Sequence, residues 1–524
     1  MTKVWKVAGV WLVMAAVVWL FTIWRWQTTD VMVSDRDIVL QLLVLPLLLT
    51  GALVGALWGL HHLRASVALE SDATSPGAGP SLDSSAASSG ADEALRCAQA
   101  WLLTSAVALP VGSRTDAAWA TLSSQAARPS LDPSLLDHDG LPVFTCRAAW
   151  VDEALADADA AAEEHARPER VRRAWLLLQP VLGQLLDALT LLGPDAAGPE
   201  SHPHPDHVQA PVSMKAHLAG VAMPLSASQQ QSREAGRPHL TVRLVLPRDW
   251  AEEDRNWFTQ AARQASGALL DWAERTGCRA LHWQTTPPET PEALWVEIDQ
   301  MVLRWQRDPT PALTLLLAVD SAVDADEVER RQARGELFTA HHQNGQVPGE
   351  AAAGLLLACP HWPRPDDGDA PPALLGRPAH ARRGKSADAI GRVGIDALRA
   401  LLDGVVGHRL AAPVEALTVV SDADHRGSRA AELYESVQES LPGLDPATQV
   451  VRVGEACGEL GVARAVVPVV LAHAALNLAE DDAAAALAVL MQDGHERVVV
   501  PLSRPDRPHD EPAADLPNPA PHTA

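Results

Sequence analysis

Cysteine is scarce in this sequence of 524 residues, and its placement excludes two classes of protein. The five cysteines are Cys97, Cys146, Cys278, Cys359 and Cys457. Their number is odd, and no two of them have the close spacing of a disulfide framework or a zinc site. We therefore predict that they are small core residues in a reducing compartment, and we expect neither a metal nor a cofactor.

Basic residues are also few. The chain has 42 Lys and Arg against 66 Asp and Glu, which gives a formal net charge of −24. Proteins that bind nucleic acid usually present a basic surface to the phosphates, so we expect no nucleic-acid partner. The one basic stretch that stands out is "HARRGKSADAIGR" at 380–392, which is either a docking surface for an acidic protein or a solvated loop.

The sequence begins with two long apolar runs, at residues 7–24 and 38–60. Each run is long enough to cross about 30 Å of hydrocarbon as a helix. A cleaved signal peptide is the alternative for the first run, but no small-residue cleavage pattern follows it and the second run comes directly after. We therefore predict that residues 1–64 form a transmembrane hairpin.

Basic residues near the two runs predict the orientation of this hairpin. Lys3 and Lys6 precede the first run and Arg64 follows the second, whereas the connecting loop mixes arginine with aspartate. The positive-inside tendency then places both chain ends in the cytoplasm. The alanine-rich composition, with more arginine than lysine, is typical of high-GC bacterial coding sequences. The expected location is the bacterial inner membrane, with the soluble domain in the cytoplasm.

The remainder of the chain has the composition of a tethered α/β domain. Residues 65–93 are rich in Ser, Ala, Gly and Pro and are predicted to be a flexible linker, and the proline-rich stretch 504–524 is predicted to be a disordered tail. A first half at 94–365 contains a loop-like insertion near 193–238, and a second half covers 366–503.

Within these halves, short apolar runs alternate with longer amphipathic patterns. The short runs predict strands at 101–109, 240–246, 280–283, 312–319, 354–359, 416–421 and 497–502. The longer patterns predict helices at 170–192, 251–276, 291–307, 386–406, 428–440 and 462–477. This alternation favours a layered α/β fold.

Candidate sites are weak when residue type and spacing are considered alone. The segment "SHPHPDH" brings together His202, His204 and His207, but its prolines and the lack of a fourth ligand favour a solvated loop over a metal site. Asp424 and His425 stand in a polar turn after the predicted strand 416–421, where groups commonly line a site in α/β folds. Capping of the following helix by Asp424 or Ser428 is the alternative.

Three blocks of the sequence resemble the β-ketoacyl synthase family of the thiolase superfamily. The first is "ALTLLLAVDSAVDADEVERRQARGELFTAHHQNGQVPGEAAAGLLLA", which is similar to the family's strand ending in xDS, its helical excursion and its PGEGAA-type turn. The second is "LTVVSDADHRGSRAAELYES", which looks like the turn that carries an HGTGT-type histidine. The third is "VGEACGELGVARAVVPVVLAHAAL", which is similar to the KSxxGHxxGAAG loop and its helix. The resemblance implies a thiolase-like, layered α/β/α/β/α domain that forms homodimers through a sheet edge.

The departures from the family pattern imply that the condensation chemistry is lost. An active synthase carries a thiolate at the amino end of the helix that corresponds to 291–307, but the residues leading into this helix are "WQTTPPETPEAL". Cys278 lies too early to replace that cysteine, and the nearest hydroxyl is that of Thr290. Val453 stands at the position of the family's lysine, and Gly458 at that of its histidine. His425 falls a residue or two off the register of the other histidine.

These departures predict a pseudo-ketosynthase, a non-catalytic adaptor or assembly protein at the membrane. Synthase-like proteins without a complete active site also occur beside bacterial type VI secretion genes, so a secretion component or effector is one expected partner. The alternative is a residual acyl-thioester transferase or hydrolase that uses His425, Asp424 or Thr290. A sensor that binds an acyl carrier is a further alternative, which the net charge of −24 opposes unless a local basic patch exists.

Overall fold

The structure is a computed structural model that describes residues 95, 97–157, 167–192, 237–363, 371–410, 412–479 and 484–505. Contacts divide the chain into two units, Met1–Ala86 and Ala87–Ala524, and every described residue belongs to the second. The predicted transmembrane hairpin, the linker and most of the insertion and tail therefore lie outside the described residues. So do His202, His204 and His207.

The described residues form a series of strands separated by helices. The strands are β1 Gln99–Ala108, β2 Ser130–Leu136, β3 Pro142–Thr145, β4 His239–Val245, β5 Ala280–Gln284, β6 Ala312–Ser321, β7 Glu350–Ala358, β8 Ala373–Gly376, β9 Ala379–Arg382, β10 Leu417–Ser421, β11 Val450–Arg452, β12 Ala485–Leu490 and β13 Glu496–Ser503.

The helices are distributed over both halves of the chain. They are α1 Thr115–Ser123, α2 Ala149–Asp157, α3 Glu169–Leu191, α4 Glu252–Ala265, α5 Gly267–Thr276, α6 Ala293–Arg307, α7 Ala325–Ala333, α8 Asp396–Arg409, α9 Gly427–Ser440, α10 Pro446–Gln449, α11 Val453–Cys457 and α12 Val467–Leu478. Short 3-10 turns precede β10, at Val414–Ala416, and α12, at Gly461–Ala465.

Most strands join in one mixed sheet with the order β11-β10-β12-β13-β8-β1-β7-β6-β4-β5, and β9 pairs with β13. The pairs β4–β5, β4–β6, β10–β11 and β10–β12 are parallel, whereas β6–β7, β1–β7 and β12–β13 are antiparallel. The hairpin of β2 and β3 forms a separate two-stranded sheet. The predicted mixed α/β class is confirmed by this arrangement.

Two apolar helices form the centre of the core. Helix α12 is buried on all sides and contacts β1 and β7 from one half of the chain and β10, β12 and β13 from the other. A helix that is apolar all round belongs in an interior. Helix α3 packs on β1, β6 and β7. In the part of the chain that is described, α3 is the helix long and apolar enough to span a membrane, but half of it is buried within the domain, as expected of a core helix.

The predicted strands all exist, and three of the predicted helices need correction. The helix expected at 462–477 is a 3-10 turn at Gly461–Ala465 followed by α12, which begins at Val467. The helix expected at 386–406 begins only at Asp396, because backbone groups before it bond to other segments: the Ala387 N–H donates to the Gly494 carbonyl, and the Gly394 carbonyl accepts from Arg383 Nη1. The helix expected at 251–276 is broken at Ser266, where the backbone leaves helical geometry and the Ser266 Oγ donates to the carbonyl of Ala262.

Strand β7 also begins earlier than the sequence suggested. Residues 351–353 were expected to belong to the turn, but the strand starts at Glu350 and these alanines pair with both β1 and β6. The position that needs a small residue within the strand is Gly354, where a Cβ would lie 2.4 Å from Cδ1 of Leu185 on α3. Close contact with a helix, and not turn geometry, explains this glycine.

Candidate functional site at the strand ends

The first part of the candidate site lies where β6 ends and β7 begins. Ser321 and Glu350 are opposite each other in the antiparallel register of these strands. The Glu350 carboxylate is fully buried and accepts hydrogen bonds from Arg173 Nε at 2.8 Å and Arg173 Nη2 at 2.6 Å. It also accepts from Ser321 Oγ at 2.8 Å and from the Ala148 N–H at 2.7 Å. A buried carboxylate with four donors is a structural group, because each donor compensates part of its desolvation.

The neighbouring carboxylate of Asp320 is less well compensated, because its arginine also pairs with other carboxylates. Arg170 donates to its Oδ1 from Nη2 at 2.9 Å and from Nε at 3.2 Å. Arg170 also serves Asp249 and Glu327, so one guanidinium is shared among three carboxylates. Burial, together with the nearby charges of Glu459 and Asp249, raises the pKa of Asp320 to about 7 against the opposing effect of Arg170.

An ion triad joins the two halves of the domain next to these groups. The guanidinium of Arg464, in the 3-10 turn before α12, lies 2.5 Å from the Glu292 carboxylate, which directly precedes α6. The same nitrogen lies 3.2 Å from Asp422, the first residue after β10. All three side chains are buried. We call Glu292, Arg464 and Asp422 the ion triad.

The triad is anchored firmly at its Asp422 end. Asp422 Oδ1 accepts from the backbone N–H groups of Met491 at 2.6 Å and Gln492 at 3.1 Å, which follow the parallel neighbour β12. Burial raises the pKa of Asp422 to about 6, and the charge of Glu292 adds to that effect while Arg464 opposes it. At the other end, Glu292 Oε2 is buried and has no hydrogen-bond partner among the described residues.

The two sequence blocks that carry the main resemblance interlock beside the triad. The Gly349 N–H donates to the carbonyl of Glu459 at 3.1 Å, and the Glu459 N–H donates to the carbonyl of Val347 at 2.8 Å. A Cβ on Gly349 would lie 2.0 Å from the Cys457 carbonyl oxygen, and one on Gly458 would lie 2.5 Å from that of Val347. Gly458 also has a φ of +71°, which glycine adopts at little cost. These glycines allow two loops to meet backbone against backbone.

The side chain of Glu459 extends this network into the first half. Arg331 Nη2 donates to it at 2.7 Å, and the Gly461 N–H donates at 2.8 Å. Burial favours the neutral acid, but Arg331 and Arg464 together outweigh it and lower the pKa of Glu459. The junction between the two halves of the domain therefore consists of buried carboxylates and guanidinium groups that form ion pairs.

Asp424 and His425, predicted as weak site candidates, lie near the triad but outside it. Asp424 is buried and paired with Arg426, whose Nε lies 2.8 Å from Oδ2 and whose N–H donates to Oδ1 at 3.0 Å. His425 packs edge-on against the ring of Phe338 at a centroid distance of 4.9 Å. Its Nε2 is enclosed and has no hydrogen-bond partner in the described part of the chain. Neither residue contacts a nucleophile in that part, and their roles stay predictions.

Thr290, the third weak candidate, lies at the start of α6. Its Oγ1 accepts a hydrogen bond from the Ala293 N–H at 3.2 Å, and its carbonyl accepts from the same group. This arrangement satisfies one of the donors that a helix leaves unpaired at its amino end. The hydroxyl therefore has a local structural role, and no described base lies within hydrogen-bond distance of it.

The described thiols with shifted pKa values are all shifted away from reactivity. Burial raises the pKa of Cys457 to about 12. Burial also raises the pKa of Cys146, Cys278 and Cys359. Cys278 lies just before β5, at the position that the sequence suggested, and its Sγ donates to the Ala280 carbonyl at 3.3 Å. A reactive cysteine needs the opposite shift, toward the thiolate.

The basic stretch at 380–392 is neutralised by carboxylates. Arg382 pairs with Glu496, and Arg383 is buried against Glu432. Arg392 lies 3.6 Å from Glu435, and Lys385 Nζ donates to the carbonyl of Ile390 at 2.6 Å. Carboxylates therefore offset much of the positive charge of the stretch, while Arg382 and Arg392 stay exposed to solvent.

A cavity of about 860 Å³ lies between α6 and the strands β4, β5 and β6. Its lining combines apolar side chains such as Met301 and Leu316 with polar ones such as Thr241. Arg243 also lines it and is paired with Glu297 at 2.8 Å. This volume lies within the range of small-molecule sites.

Sequence reasoning missed the triad because its members are far apart in the chain. Glu292 and Arg464 are separated by 172 positions, and although both lie in segments that the sequence comparison quoted, neither was identified there as a site residue. Asp422 was noticed as part of a polar turn, and the strand end before it was the available signal. The pairing itself depends on tertiary contacts, which spacing does not reveal.

The junction can bind charge, and the two cysteines beside it, Cys146 and Cys457, are disfavoured as nucleophiles because burial raises the pKa of both thiols. Its carboxylates are engaged by guanidinium groups or backbone N–H groups, and its guanidinium groups by carboxylates. The groups that could bind a ligand lie instead around the cavity beside α6.

The chain is similar to several ketosynthases of known structure, at low sequence identity. The ketosynthase/chain length factor of ishigamide is 14% identical over 78% of this chain and 100% of that chain, with a TM-score of 0.45. A type II PKS acyl-carrier protein in complex with its ketosynthase matches at 10% identity over 78% of this chain and 99% of that chain, also with a TM-score of 0.45. The ketosynthase from module 1 of the bacillaene synthase from Bacillus amyloliquefaciens FZB42 is 10% identical over 79% of this chain and 77% of that chain, with a TM-score of 0.41.

No protein-family model and no curated protein matches the sequence. At these TM-scores the structural similarities carry no argument about the activity, ligand or partner of this chain. The mixed α/β fold rests on the structure itself. Its finer assignment to the thiolase type rests on the sequence motifs and stays a prediction.

Proposed function

We propose that the chain is a membrane-anchored, non-catalytic ketosynthase-like protein that acts as an adaptor or assembly protein. The observation that carries this proposal is the ion triad of Glu292, Arg464 and Asp422, which is buried at the ends of the strands. The sequence resemblance assigns that region to the condensing chemistry. Here it contains one arginine that is paired with two carboxylates.

The energetics of the triad favour a structural role. Arg464 is buried, which lowers its pKa, but Glu292, Asp422 and Glu459 together outweigh this and raise it, so the guanidinium keeps its charge. Removing one member of such a buried set typically costs about 3–5 kcal/mol, because the remaining charge stays desolvated. A domain that keeps these ions at the position of the lost nucleophile uses the region to hold its halves together.

The anchor and the partners complete the proposal. Residues 1–64 cross the bacterial inner membrane twice and leave the soluble domain in the cytoplasm. The domain forms a homodimer through a sheet edge and binds a component or effector of a type VI secretion apparatus. Nucleic acid is not a partner, since the chain carries a net charge of −24.

The cavity beside α6 favours a second candidate function, the binding or transfer of an acyl thioester. Its volume of about 860 Å³ suits an acyl chain, and its lining reaches Glu289 and Ala293 on either side of Thr290. A thioester in that cavity would approach the Thr290 hydroxyl. This candidate also includes an acyl-carrier protein as partner.

The decisive test is incubation of the purified full chain with dodecanoyl coenzyme A. The measurements are release of free coenzyme A and the intact mass of the protein. We expect no adduct and the same background hydrolysis for the wild type, Thr290→Ala and Cys278→Ala. Turnover that disappears in Thr290→Ala, or a stable acyl adduct on either residue, would replace the first function by the second.

Partner and location are tested separately in the native membrane. Mass spectrometry of proteins that co-purify with the tagged chain should recover a type VI secretion component, and recovery of an acyl carrier alone would favour the second function. Reporter proteins fused to either end of the chain test the expected orientation, in which both ends are in the cytoplasm. A fluorescent protein should be active there, and alkaline phosphatase, which needs the periplasm, should be inactive.

A further inference from the structure

Exposed apolar side chains concentrate on the hairpin of β2 and β3. Nine large hydrophobic residues are exposed in the part of the chain that is described, and four of them lie between positions 131 and 144. These four are Leu131, Leu136, Leu141 and Phe144, with exposures of 55%, 53%, 50% and 36%. We call them the hairpin face. A clustered apolar surface usually marks an interaction site, whereas single exposed leucines do not.

The register places Leu131 and Phe144 on one side of the hairpin, and an irregularity in the pairing between Asp132 and Leu136 brings Leu136 opposite Pro142, while Leu141 lies in the turn before β3. Leu131 is directly opposite Phe144 across the two strands. The next positions, Asp132 and Val143, are also opposite each other and are buried. Because successive side chains in a strand point to opposite faces, one face packs on the domain and the other is open.

The inner face fixes the hairpin to the domain. Leu135 and Val143 belong to a small buried cluster with Val323, Val328 and Leu337. Polar contacts add to this attachment. Arg147 Nε lies 2.6 Å from Asp132, and the His138 N–H donates to Gln332 Oε1 of α7 at 3.0 Å. The open face is therefore a preformed surface.

An aromatic row continues the hairpin face toward the loop after β10. The rings of Phe144 and Phe338 meet edge to face at a centroid distance of 5.6 Å. Phe338 in turn meets His425 at 4.9 Å. Such pairs are stabilising and directional, so the row holds the apolar surface in a defined shape.

The dimensions of the surface suit an α-helix. Strand residues rise by about 3.3 Å each, so Leu131 and Leu136 are separated by at most about 16 Å along β2, whose pairing is irregular between Asp132 and Leu136. An α-helix advances 5.4 Å per turn, so about three turns would cover that length. Two neighbouring strands present a width close to the diameter of one helix.

The negative charge of the chain favours a basic partner. The turn that closes the hairpin contains Asp137 and the exposed Asp139, and the whole chain has a net charge of −24. A second copy would bring the same negative charge to the interface. A helix with lysine or arginine beside its apolar stripe would instead be attracted.

We propose that the hairpin face binds an amphipathic, basic α-helix of another protein, with apolar residues at i, i+3/i+4 and i+7. This inference rests on the proposed function, because it names the kind of partner through which a non-catalytic domain would act. The apolar stripe contacts Leu131, Leu136, Leu141 and Phe144, and the basic residues face the acidic turn.

Three fluorescent peptides of about 14 residues, the length of nearly four helical turns, test the proposal by anisotropy against the detergent-solubilised full chain. The first carries leucines on one helical face and lysines elsewhere. The second has glutamate for every lysine, and the third has the composition of the first in a scrambled order. We expect the lysine peptide to bind at least about tenfold more tightly than the other two, with affinity falling as salt is raised.

Matched variants separate binding at the hairpin from binding to the micelle. The double variant Leu136→Ser/Leu141→Ser should bind the lysine peptide at least about tenfold more weakly than the wild type does. Leu191→Ser/Leu478→Ser changes two other exposed leucines, with exposures of 84% and 63%, and should bind as the wild type does. Equal affinities for the two variants, or equal binding of the glutamate peptide, would overturn the proposal.

A photo-crosslinker identifies the occupant directly. The full chain with Leu136→p-benzoylphenylalanine should crosslink to the lysine peptide. Crosslinking to a second copy of the chain, or to anionic phospholipid in vesicles, would overturn the proposal by naming a different occupant. The outcome is separable from the proposed function. A chain that binds the peptide and also turns over dodecanoyl coenzyme A refutes only the non-catalytic role, and a chain that does neither refutes only the helix-binding surface.

Discussion

The carboxylate of Asp320 occupies the space in which a side chain on Gly461 would begin. A Cβ at Gly461 would lie 1.8 Å from Asp320 Oδ2, and Gly461 also has a φ of +55°. The contact joins the end of β6 in the first half of the domain to the turn before α12 in the second. It shows how closely the two halves meet at the candidate site.

This contact predicts that Gly461→Ala destabilises the domain by at least about 2 kcal/mol, since it combines a collision with positive-φ strain. The measurement is thermal unfolding of the solubilised chain. Gly183→Ala in α3 is the matched control, because a Cβ there meets no atom within 4 Å. That change should be neutral or stabilising by up to about 1 kcal/mol, as alanine favours a helix. Equal effects of the two substitutions would contradict the observed contact.

The ion triad predicts that Arg464→Met costs about 3–5 kcal/mol of unfolding free energy, because Glu292 and Asp422 would remain buried without their cation. Adding Glu292→Gln and Asp422→Asn to Arg464→Met should recover much of this loss, since the buried charges are then gone. Denaturant unfolding of the single and triple variants measures both effects.

An exposed arginine provides the control for that series. Arg334 lies 3.8 Å from Glu336, and both side chains are about half exposed. Arg334→Met should change the unfolding free energy by less than about 1 kcal/mol. A triple variant as unstable as Arg464→Met alone would argue that the triad does more than balance charge.

The pH dependence of stability should show the influence of Asp320, whose pKa burial raises to about 7. An unfolded aspartate releases its proton near pH 4, whereas the folded one keeps it until about pH 7. The folded state therefore binds more protons over this interval, so the contribution of Asp320 to stability falls as the pH rises through it. Asp320→Asn should accordingly gain stability relative to the wild type between about pH 4 and pH 7, and the difference should then level off. Unfolding at a series of pH values measures this difference, and a difference that shrinks with rising pH would contradict the direction of the shift.

The edge strand β5 predicts where the expected homodimer forms. Among the described residues β5 pairs only with β4, and its five residues are exposed or half-buried. The opposite edge, β11, has three residues and is mostly buried. We expect His282→Pro to convert the dimer into a monomer in analytical ultracentrifugation, since proline blocks strand pairing, while His282→Ala stays dimeric. A dimer that survives His282→Pro forms elsewhere.

Much of the fold was predictable because buried strands and helices show local patterns of apolar residues in the sequence. Strand β6 reads as a continuous apolar run and is buried along its length, and α12 is apolar on every side. The strands that escaped prediction include β8 and β9, with four residues each, and the β2–β3 hairpin. Strands of three or four residues are too short to show periodicity, and the missed central strand β12 (Ala485–Leu490) is an alanine-rich apolar run that periodicity alone does not assign.

The candidate site was predictable only in outline. The turn after β10 and the loop 453–465 were singled out as places where the family carries its chemistry, and the structure brings both to the same junction. The residues that meet there, Glu292, Arg464 and Asp422, were not predicted as a set. A side chain that pairs across 172 positions has no local signature.

The sequence by itself determined the α/β class, the positions of the main strands and helices, and the absence of a cysteine ahead of α6. These properties follow from local patterns, since periodicity and residue type act over a few neighbouring positions. Only the tertiary structure decided that Glu350 is a buried partner of Arg173, that Asp424 is held by Arg426, and that four exposed apolar residues gather at one hairpin. Those outcomes depend on how distant segments pack, because the free energy of a buried charge or an exposed leucine is set by the groups that fold around it.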